Sequence, residues 1–276
     1  MFERILVPYN SGTSAQMALQ QAIQIAQSHG GIIHGLNVFD PAPYQNEPLL
    51  MDMGNGLPPQ PVDPNLSVEA HLLKIAEDRA KESLDHFERE CQASGVRFTS
   101  ELRMGNVAYQ VLEAAHQADL MVLGRPTETR KLRGLVDTWV RRSPVPVWLA
   151  VEAPTQPQQV LLAYDGGTRA ADALQVAARL AQSWQLPLGL RVVREVGRVD
   201  EATLKQAEGL LHELGIDPVS AELLSGRPVE MLLSLTEPSS ILVMGTHGHG
   251  VFWGLRFGRT VDGLVQGARG ALLICP

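Results

Sequence analysis

Only two residues of the chain are cysteines, Cys91 and Cys275, and neither stands in a metal-ligand spacing. That leaves no disulfide framework and no structural zinc site to expect, and reads as buried thiols in a reducing compartment. Aromatic residues are scarce, at 5%. No apolar run approaches the ~18 residues that a membrane-crossing helix needs, and Met1-Phe2-Glu3-Arg4-Ile5 has no signal-peptide form. No basic run occurs, and the formal net charge is -7. Nucleic acid and anionic membrane surfaces are therefore not expected partners. Two catalytic signatures are also missing. No G-K-[ST] follows a glycine loop, which excludes the P-loop, and no G-x-S-x-G nucleophile elbow is present. A cytoplasmic protein is the expectation.

What is present is a chain of 276 residues, 45% of them hydrophobic. That is long enough for two ordinary domains. Ala, Leu and Val dominate, a composition suited to helices packed on a parallel sheet. One stretch is informative above the rest. Ile241-Leu242-Val243-Met244 is a short apolar run that ends in Gly245, with Gly248 and Gly258 following. The run reads as a strand buried on both faces. Gly258-Arg259-Thr260 then opens a helical pattern through Val261, Leu264, Val265 and Ala268. Glycines let a ligand approach the main chain, and the positive end of a helix suits a phosphate. The spacing G-x2-G-x9-G between strand and helix reads as a nucleotide-phosphate cradle.

The chain is one β/α unit written twice. Arg4 to Gly12 is a strand running into a turn, with Asn10, Ser11 and Thr13 as candidates to cap the helix that follows. Ala15, Ala18, Leu19, Ala22 and Ala26 mark that helix, and Ile32 to Phe39 a second strand. Gln159 to Gly167, then Ala170, Leu174, Ala177, Ala178 and Ala181, then Leu188 to Val193, repeat the series. Asp119 to Gly124 matches Ser240 to Gly245, and Pro144 to Leu149 matches Gly270 to Cys275. Third strands are expected near Val96 to Leu102 and Val219 to Leu224, each followed by a short helix. Asn10 and Asp165 stand 155 residues apart, Gly124 and Gly245 only 121, so the first copy carries 34 extra residues. They read as an irregular loop, Pro41 to Pro64, and a longer amphipathic helix, Leu66 to Ser94, with Leu72, Ile75, Ala76, Leu84 and Phe87 inward. The loop is either disordered or a cover for a pocket or interface. A polar, Pro-rich linker over 152–158 separates domains at 1–152 and 158–276. The expected class is α/β: two tandem doubly wound domains, each with a five-stranded, mainly parallel sheet flanked by helices, and ligands at the carboxyl ends of the strands.

These residues together resemble the universal stress protein family in its tandem two-domain form. Met244-Gly245-Thr246-His247-Gly248 … Gly258 matches the family's G-x2-G-x9-G-[S/T] ATP-binding signature, and Asp165 after the first strand is the second landmark. The resemblance implies an adenine nucleotide hydrolase-like fold and ATP, with or without Mg2+, as ligand of the second copy. It places Ala163 and Asp165 near the nucleoside and Val192 beside the adenine. Gly245, His247, Gly248, Gly258, Arg259 and Thr260 would surround the phosphates, and Met244, which opens the motif, is counted with the cofactor-binding residues. It also implies that the fifth strands, Val145 to Leu149 and Leu272 to Ile274, pair antiparallel within one chain as a pseudo-dimer. A further homodimer stays open.

Departures from the family pattern bear on each copy. Arg259 stands where the family has Ser or Thr; it can bond a phosphate oxygen, fill the site or point to solvent. In the first copy Asn10 replaces the Asp and Thr127 the second Gly, and by simple counting Asp137 falls on the third. A carboxylate at a phosphate-binding helix terminus repels its ligand, so the first copy is not expected to bind ATP in the family manner. Asp165 reads equally as a helix cap and as a ribose contact. His247 and His249 lack acidic companions at ligand spacing, so no metal is expected. Arg125, Arg130, Lys131 and Arg133 form a basic cluster that reads as a solvated face or a compensating anion site. Trp139, Trp148, Trp184 and Trp253 read as packing residues that do not form a stacking platform. No general base stands beside the cradle, so any ATP hydrolysis should be slow. The two function classes that remain are a nucleotide-binding stress or signalling protein and a ligand-free pseudo-dimeric scaffold for a protein partner, whose identity the sequence does not give.

Overall fold

A computed structural model describes residues 1–41, 68–125, 130–151, 156–194, 200–246 and 259–276, leaving aside the side chains of 68, 69, 130–133, 259 and 260. The N-terminal half runs β1 (Arg4–Pro8), α1 (Thr13–His29), β2 (Ile32–Phe39), α2 (Val68–Ala93), β3 (Arg97–Met104), α3 (Val107–Ala115), β4 (Leu120–Gly124), α4 (Arg130–Arg142) and β5 (Val147–Ala150). The C-terminal half runs β6 (Gln159–Ala163), α5 (Thr168–Trp184), β7 (Leu188–Arg194), α6 (Glu201–Glu213), β8 (Ser220–Ser225), α7 (Pro228–Leu235), β9 (Ser240–Gly245), α8 (Arg259–Gly267) and β10 (Ala271–Cys275). The expected loop Pro41 to Pro64 falls almost wholly outside the described residues.

All strands join one ten-stranded sheet in the order β3-β2-β1-β4-β5-β10-β9-β6-β7-β8. Within each half every neighbouring pair is parallel, as expected of strands that alternate with helices. The exception is the central pair. β5 and β10 run antiparallel, with Val147, Trp148 and Leu149 opposite Ile274, Leu273 and Leu272. The central strands β4, β5 and β10 are buried along their whole length, which is why they read as continuous apolar runs.

Side-chain alternation divides the core into two layers. Ile5, Val7, Leu120, Val122 and Trp148, with Val160, Leu162, Val243 and Leu273, point to the face covered by α1 and α5. Leu6, Met121, Leu123, Val147 and Leu149, with Leu161, Leu242, Met244, Leu272 and Ile274, point to the face of α3, α4, α7 and α8. The layer under α1 and α5 runs without a break through both halves. Of the inner positions expected on α2, Leu84 and Phe87 are buried and Leu72, Ile75 and Ala76 half-buried, while Ala80, Ser83 and Cys91 are also buried there.

At the junction two of the tryptophans meet as buried packing residues. The Trp148 and Trp184 rings lie 5.7 Å apart and tilted. His29, the last residue of α1, stacks on Trp184, the last residue of α5, at 3.9 Å and 4°. The two helices end at equivalent residues of the two copies, so these rings meet where the copies do.

Gly124 ends β4 against the first turn of α1. A Cβ there would collide with the Ser14 backbone, whereas Gly134 in α4 has open space where its Cβ would stand. Gly124→Ala should therefore cost ~1–3 kcal/mol, the usual range for overpacking. Gly134→Ala should stabilise by ~0.5–1 kcal/mol through helix propensity. Urea denaturation of the two variants checks the pair, and equal effects would contradict the packing assignment.

Candidate functional site

In the C-terminal half β6 lies between β9 and β7, all parallel, and the order in which strands are added reverses at the β6–β9 boundary. Open α/β sheets take ligands outside the carboxyl ends of the strands at such a switch point. The structure brings Ala163 and Asp165, at the end of β6, beside Met244 and Gly245, at the end of β9. Val192 lies on the next strand, one residue beyond the Ala163–Arg191 pair. α8 begins at Arg259, directly after residues 246–258.

The turn after β6 is built by Asp165. Its Oδ1 accepts the Gly167 N–H at 2.9 Å, and Gly166 takes a φ of +79°. Asp165 thus makes an Asx-type turn, and no side chain caps the start of α5, whose N-cap is Gly167. The first half is built the same way. Asn10 Oδ1 accepts the Gly12 N–H at 3.1 Å, with Ser11 at a φ of +59°. The expectation that Asn10, Ser11 or Thr13 caps α1 is thereby corrected: Gly12 is the N-cap with no side-chain cap bond, and Asn10 holds the turn before it.

The remaining site residues fall as follows. Ala163 is half-buried and Val192 wholly buried. Gly245 has a packing reason of its own, since a Cβ would stand 2.8 Å from the Arg169 carbonyl group. Thr246 is buried, and its N–H continues the ladder to the Cys275 carbonyl at 2.9 Å. His247, Gly248 and Gly258 lie outside the described residues. Arg259 and Thr260 form the first turn of α8, and their side chains are not described. Among the described residues no group of three His, Cys, Asp or Glu is placed to hold a metal.

The equivalent end of the first half differs in two ways that sequence reading missed. β4 and α4 are joined by residues 125–129 only, where β9 and α8 are joined by 246–258. Asp137 therefore lies inside α4 and not at its N-terminus, which corrects the argument from repulsion. Counting from β4 with the second copy's spacing misses the shorter connection. Arg125 is the other difference. Its guanidinium crosses to the C-terminal half, donating to the Gly270 carbonyl at 2.6 Å and to the Ala268 carbonyl. These carbonyls follow the C-terminus of α8, where a cation satisfies unpaired acceptors and complements the helix dipole. Ser14 Oγ in turn donates to the Arg125 carbonyl at 2.7 Å. Arg125 is thus a clamp between the halves rather than a solvated charge or an anion site.

A family model described as "Universal stress protein family" matches residues 1–150, more than half of the chain. The chain belongs to the universal stress protein family. Among solved structures, a universal stress protein from Archaeoglobus fulgidus DSM 4304 superposes with a TM-score of 0.73 at 19% identity, covering 99% of this chain and 95% of that one. A functionally unknown protein from Pseudomonas aeruginosa PAO1 gives a TM-score of 0.60 at 13% identity, with coverage of 99% and 92%. At such identities the likeness is one of fold, and it extends over both halves of the chain. No match was found among curated protein sequences. The family match ends at the last residue of β5, on the half that lacks the glycine spacing. No helix among the described residues is long and apolar enough to cross a membrane.

Two predictions follow from the groups described. Arg125→Ala should cost ~1.5–3 kcal/mol, the range for hydrogen bonds from a charged donor, read by urea denaturation, and a change below a few tenths would remove the clamp assignment. Burial pushes Tyr9 up to about 12 from 10.0, and Cys91 and Cys275 up to about 12 from 9.0. The fold therefore keeps these groups protonated, while the unfolded chain releases their protons first. Their contribution to stability is complete below pH 9 and is lost as pH rises toward 12. Denaturation midpoints measured from pH 8 upward should fall across that window. A flat profile through it would contradict the burial of all three groups.

Proposed function

We propose that this universal stress protein binds ATP, or another adenine nucleotide, in its C-terminal domain, residues 158–276. The N-terminal domain, residues 1–152, is its structural partner in an intrachain pseudo-dimer. The observation that carries the reading is the convergence at the carboxyl ends of β6 and β9. There an Asx turn with a carboxylate and a glycine-ended strand share one switch point, and α8 is the next element in the chain after that strand. Ala163 and Asp165 take the nucleoside, and Val192 borders the adenine. Gly245, His247, Gly248, Gly258, Arg259 and Thr260 surround the phosphates, and Met244 opens the motif. The described residues fit this assignment in part: the Thr246 N–H is committed to Cys275, so phosphate donors must come from 247–258 and the first turn of α8. Mg2+, if bound, takes its oxygens from phosphate and water, since three acidic or histidine ligands do not gather among the described residues.

The contrast between 125–129 and 246–258 supports one nucleotide per chain. Occupancy then shifts conformation or partner choice in a cytoplasmic stress response, with at most slow hydrolysis, since no Walker lysine clamps the phosphates. One observation favours the alternative, a ligand-free scaffold that binds a protein partner. Gly245 is demanded by packing against Arg169 whether or not a ligand is present.

Calorimetric titration with Mg-ATP separates the readings. The wild type should bind one equivalent, and Gly248→Val should weaken binding tenfold or more, about 1.4 kcal/mol. Arg259→Ser should alter binding without abolishing it. Equal affinities of wild type and Gly248→Val would remove the loop as the site, and no binding by the wild type would leave the scaffold.

A further inference from the structure

Outside the strand ends, one cluster has the order of a nucleophile, a base and an orienting acid. β2 and β3 pair in parallel with His34 beside Thr99 and Leu36 beside Glu101. His34 Nδ1 lies 2.9 Å from Thr99 Oγ1, and its Nε2 lies 3.3 Å from Glu101 Oε2. Arg103 holds the same carboxylate with two N–H groups, at 2.7 and 2.8 Å. Arg103 is anchored in turn by donating to the Gln110 carbonyl at 3.3 Å. The sequence gives no sign of this, because the three residues are 65 and 2 apart and meet only through strand register.

The protonation states follow from the partners. The Arg103 hydrogen bonds hold the Glu101 carboxyl below its ordinary range, so it is ionised at neutral pH and only accepts. Burial holds His34 below its ordinary range, against the pull of Glu101, so the imidazole is neutral there. Its one N–H therefore sits on Nε2 and points to Glu101, which leaves a lone pair on Nδ1. Thr99 must then donate its hydroxyl proton to His34. A hydroxyl donating to a neutral imidazole that a carboxylate orients is the arrangement that activates a nucleophile. Thr99 is exposed, so its oxygen is open to a reagent from solvent.

The second half supplies an internal control. Ser220 and Glu222 occupy the places of Thr99 and Glu101, but Gly189 stands opposite Ser220 where His34 stands opposite Thr99. Arg191 reaches across instead, donating to Ser220 Oγ at 2.9 Å and pairing with Glu222 at 3.2 Å. A guanidinium has no lone pair to take a proton. The hydroxyl and the carboxylate recur in both halves, and the base is present in one.

We propose that Thr99 is a covalent acceptor site for acyl groups, with His34 as its general base and Glu101 positioning His34. Thr99 Oγ1 bonds to the carbonyl carbon of an activated acyl donor as its proton passes to His34 Nδ1. The bond from that carbon to the leaving group then breaks, the leaving group departs with the electron pair, and His34 returns its proton to water. Because the His34 proton passes to water in this step and the leaving group departs unprotonated, the donor class is one whose leaving group is a stable anion: an aryl ester, a thioester or an acyl phosphate.

p-Nitrophenyl acetate tests this on the full chain at pH 7, with nitrophenolate release followed by absorbance and the acetyl group located by peptide mass spectrometry. One acetyl should appear on Thr99 and none on Ser220. Thr99→Val should abolish the labelling. His34→Gln, which keeps a polar side chain but loses the base, should slow it ~100-fold or more, the ordinary worth of a general base. Thermal melts of both variants report whether the β2–β3 edge is intact. Release beyond one equivalent that vanishes in the same variants supports the same assignment, with hydrolysis of the Thr99 ester as a second step. Labelling of Thr99 no greater than that of Ser220, or an unchanged rate in a folded His34→Gln, would overturn it.

Discussion

The antiparallel seam between β5 and β10 governs the molecule. Each half is a parallel sheet that would otherwise end on an exposed edge at its fifth strand, and an exposed apolar edge is an aggregation hazard. Pairing Val147–Leu149 with Leu272–Ile274 removes both edges at once. Because the seam is antiparallel, it fixes the relative direction of the halves: the carboxyl ends of one lie beside the amino ends of the other. Several features then follow. The core under α1 and α5 is continuous, Trp148 lies opposite Leu273, and the ends of α1 and α5 bring His29 onto Trp184. Arg125, at the carboxyl end of β4, finds the carbonyls of Ala268 and Gly270 within reach only because that seam turns the second half around.

Within this frame the two copies agree wherever side chains pack and disagree wherever they face solvent or a ligand. Gly124 and Gly245 meet the same constraint, the close approach of the first turn of α1 or of α5 to the strand end. Beyond them the copies part. The first continues with Arg125 and a connection of 125–129; the second continues with buried Thr246 and the longer 246–258. In the first half the Arg125 guanidinium is committed to the neighbouring half. The outer edges have parted likewise, with His34 against Thr99 in one half and Arg191 against Ser220 in the other. A sheet buried on both faces tolerates such change only at its ends and edges, since any volume change inside it is felt by both layers.

The strands and helices were legible because apolar runs and helical periodicity report burial, and burial is local to the residue. Ile32–Phe39 is legible to the residue in this way, whereas the pairing of the fifth strands is implied by the family resemblance and not by the runs themselves. What needed three dimensions was anything set by the turning of one half on the other. The Trp148–Trp184–His29 group is one case, and the role of Arg125 is another. Asp137 was misplaced for a simpler reason: a deletion in a connection shifts every later count, and periodicity cannot say where in a polar stretch it falls. The candidate nucleotide site was legible only as spacing. Its strand ends converge in the structure, while His247, Gly248 and Gly258 lie outside the described residues.

Asp165 gives the nucleotide reading its sharpest physical form. The Asx turn needs one acceptor oxygen, and Asn10 provides it in the first half as well as Asp165 does in the second. The turn therefore does not account for a carboxylate. Near a triphosphate a negative side chain is unfavourable by simple Coulomb repulsion, so an Asp kept there needs compensation from a donor. The two hydroxyls of a ribose are such donors, and hydrogen bonds accepted by an ionised oxygen are about twice as strong as neutral ones. One carboxylate oxygen engaged by Gly167 and a second turned to a sugar would make Asp165 both the hinge of the turn and the reader of the nucleoside. Asn10, with an amide N–H2 in place of that second oxygen, can hold the turn but lacks the second acceptor. On this argument the distinction between the halves rests on a single atom after β6 as much as on the glycines after β9.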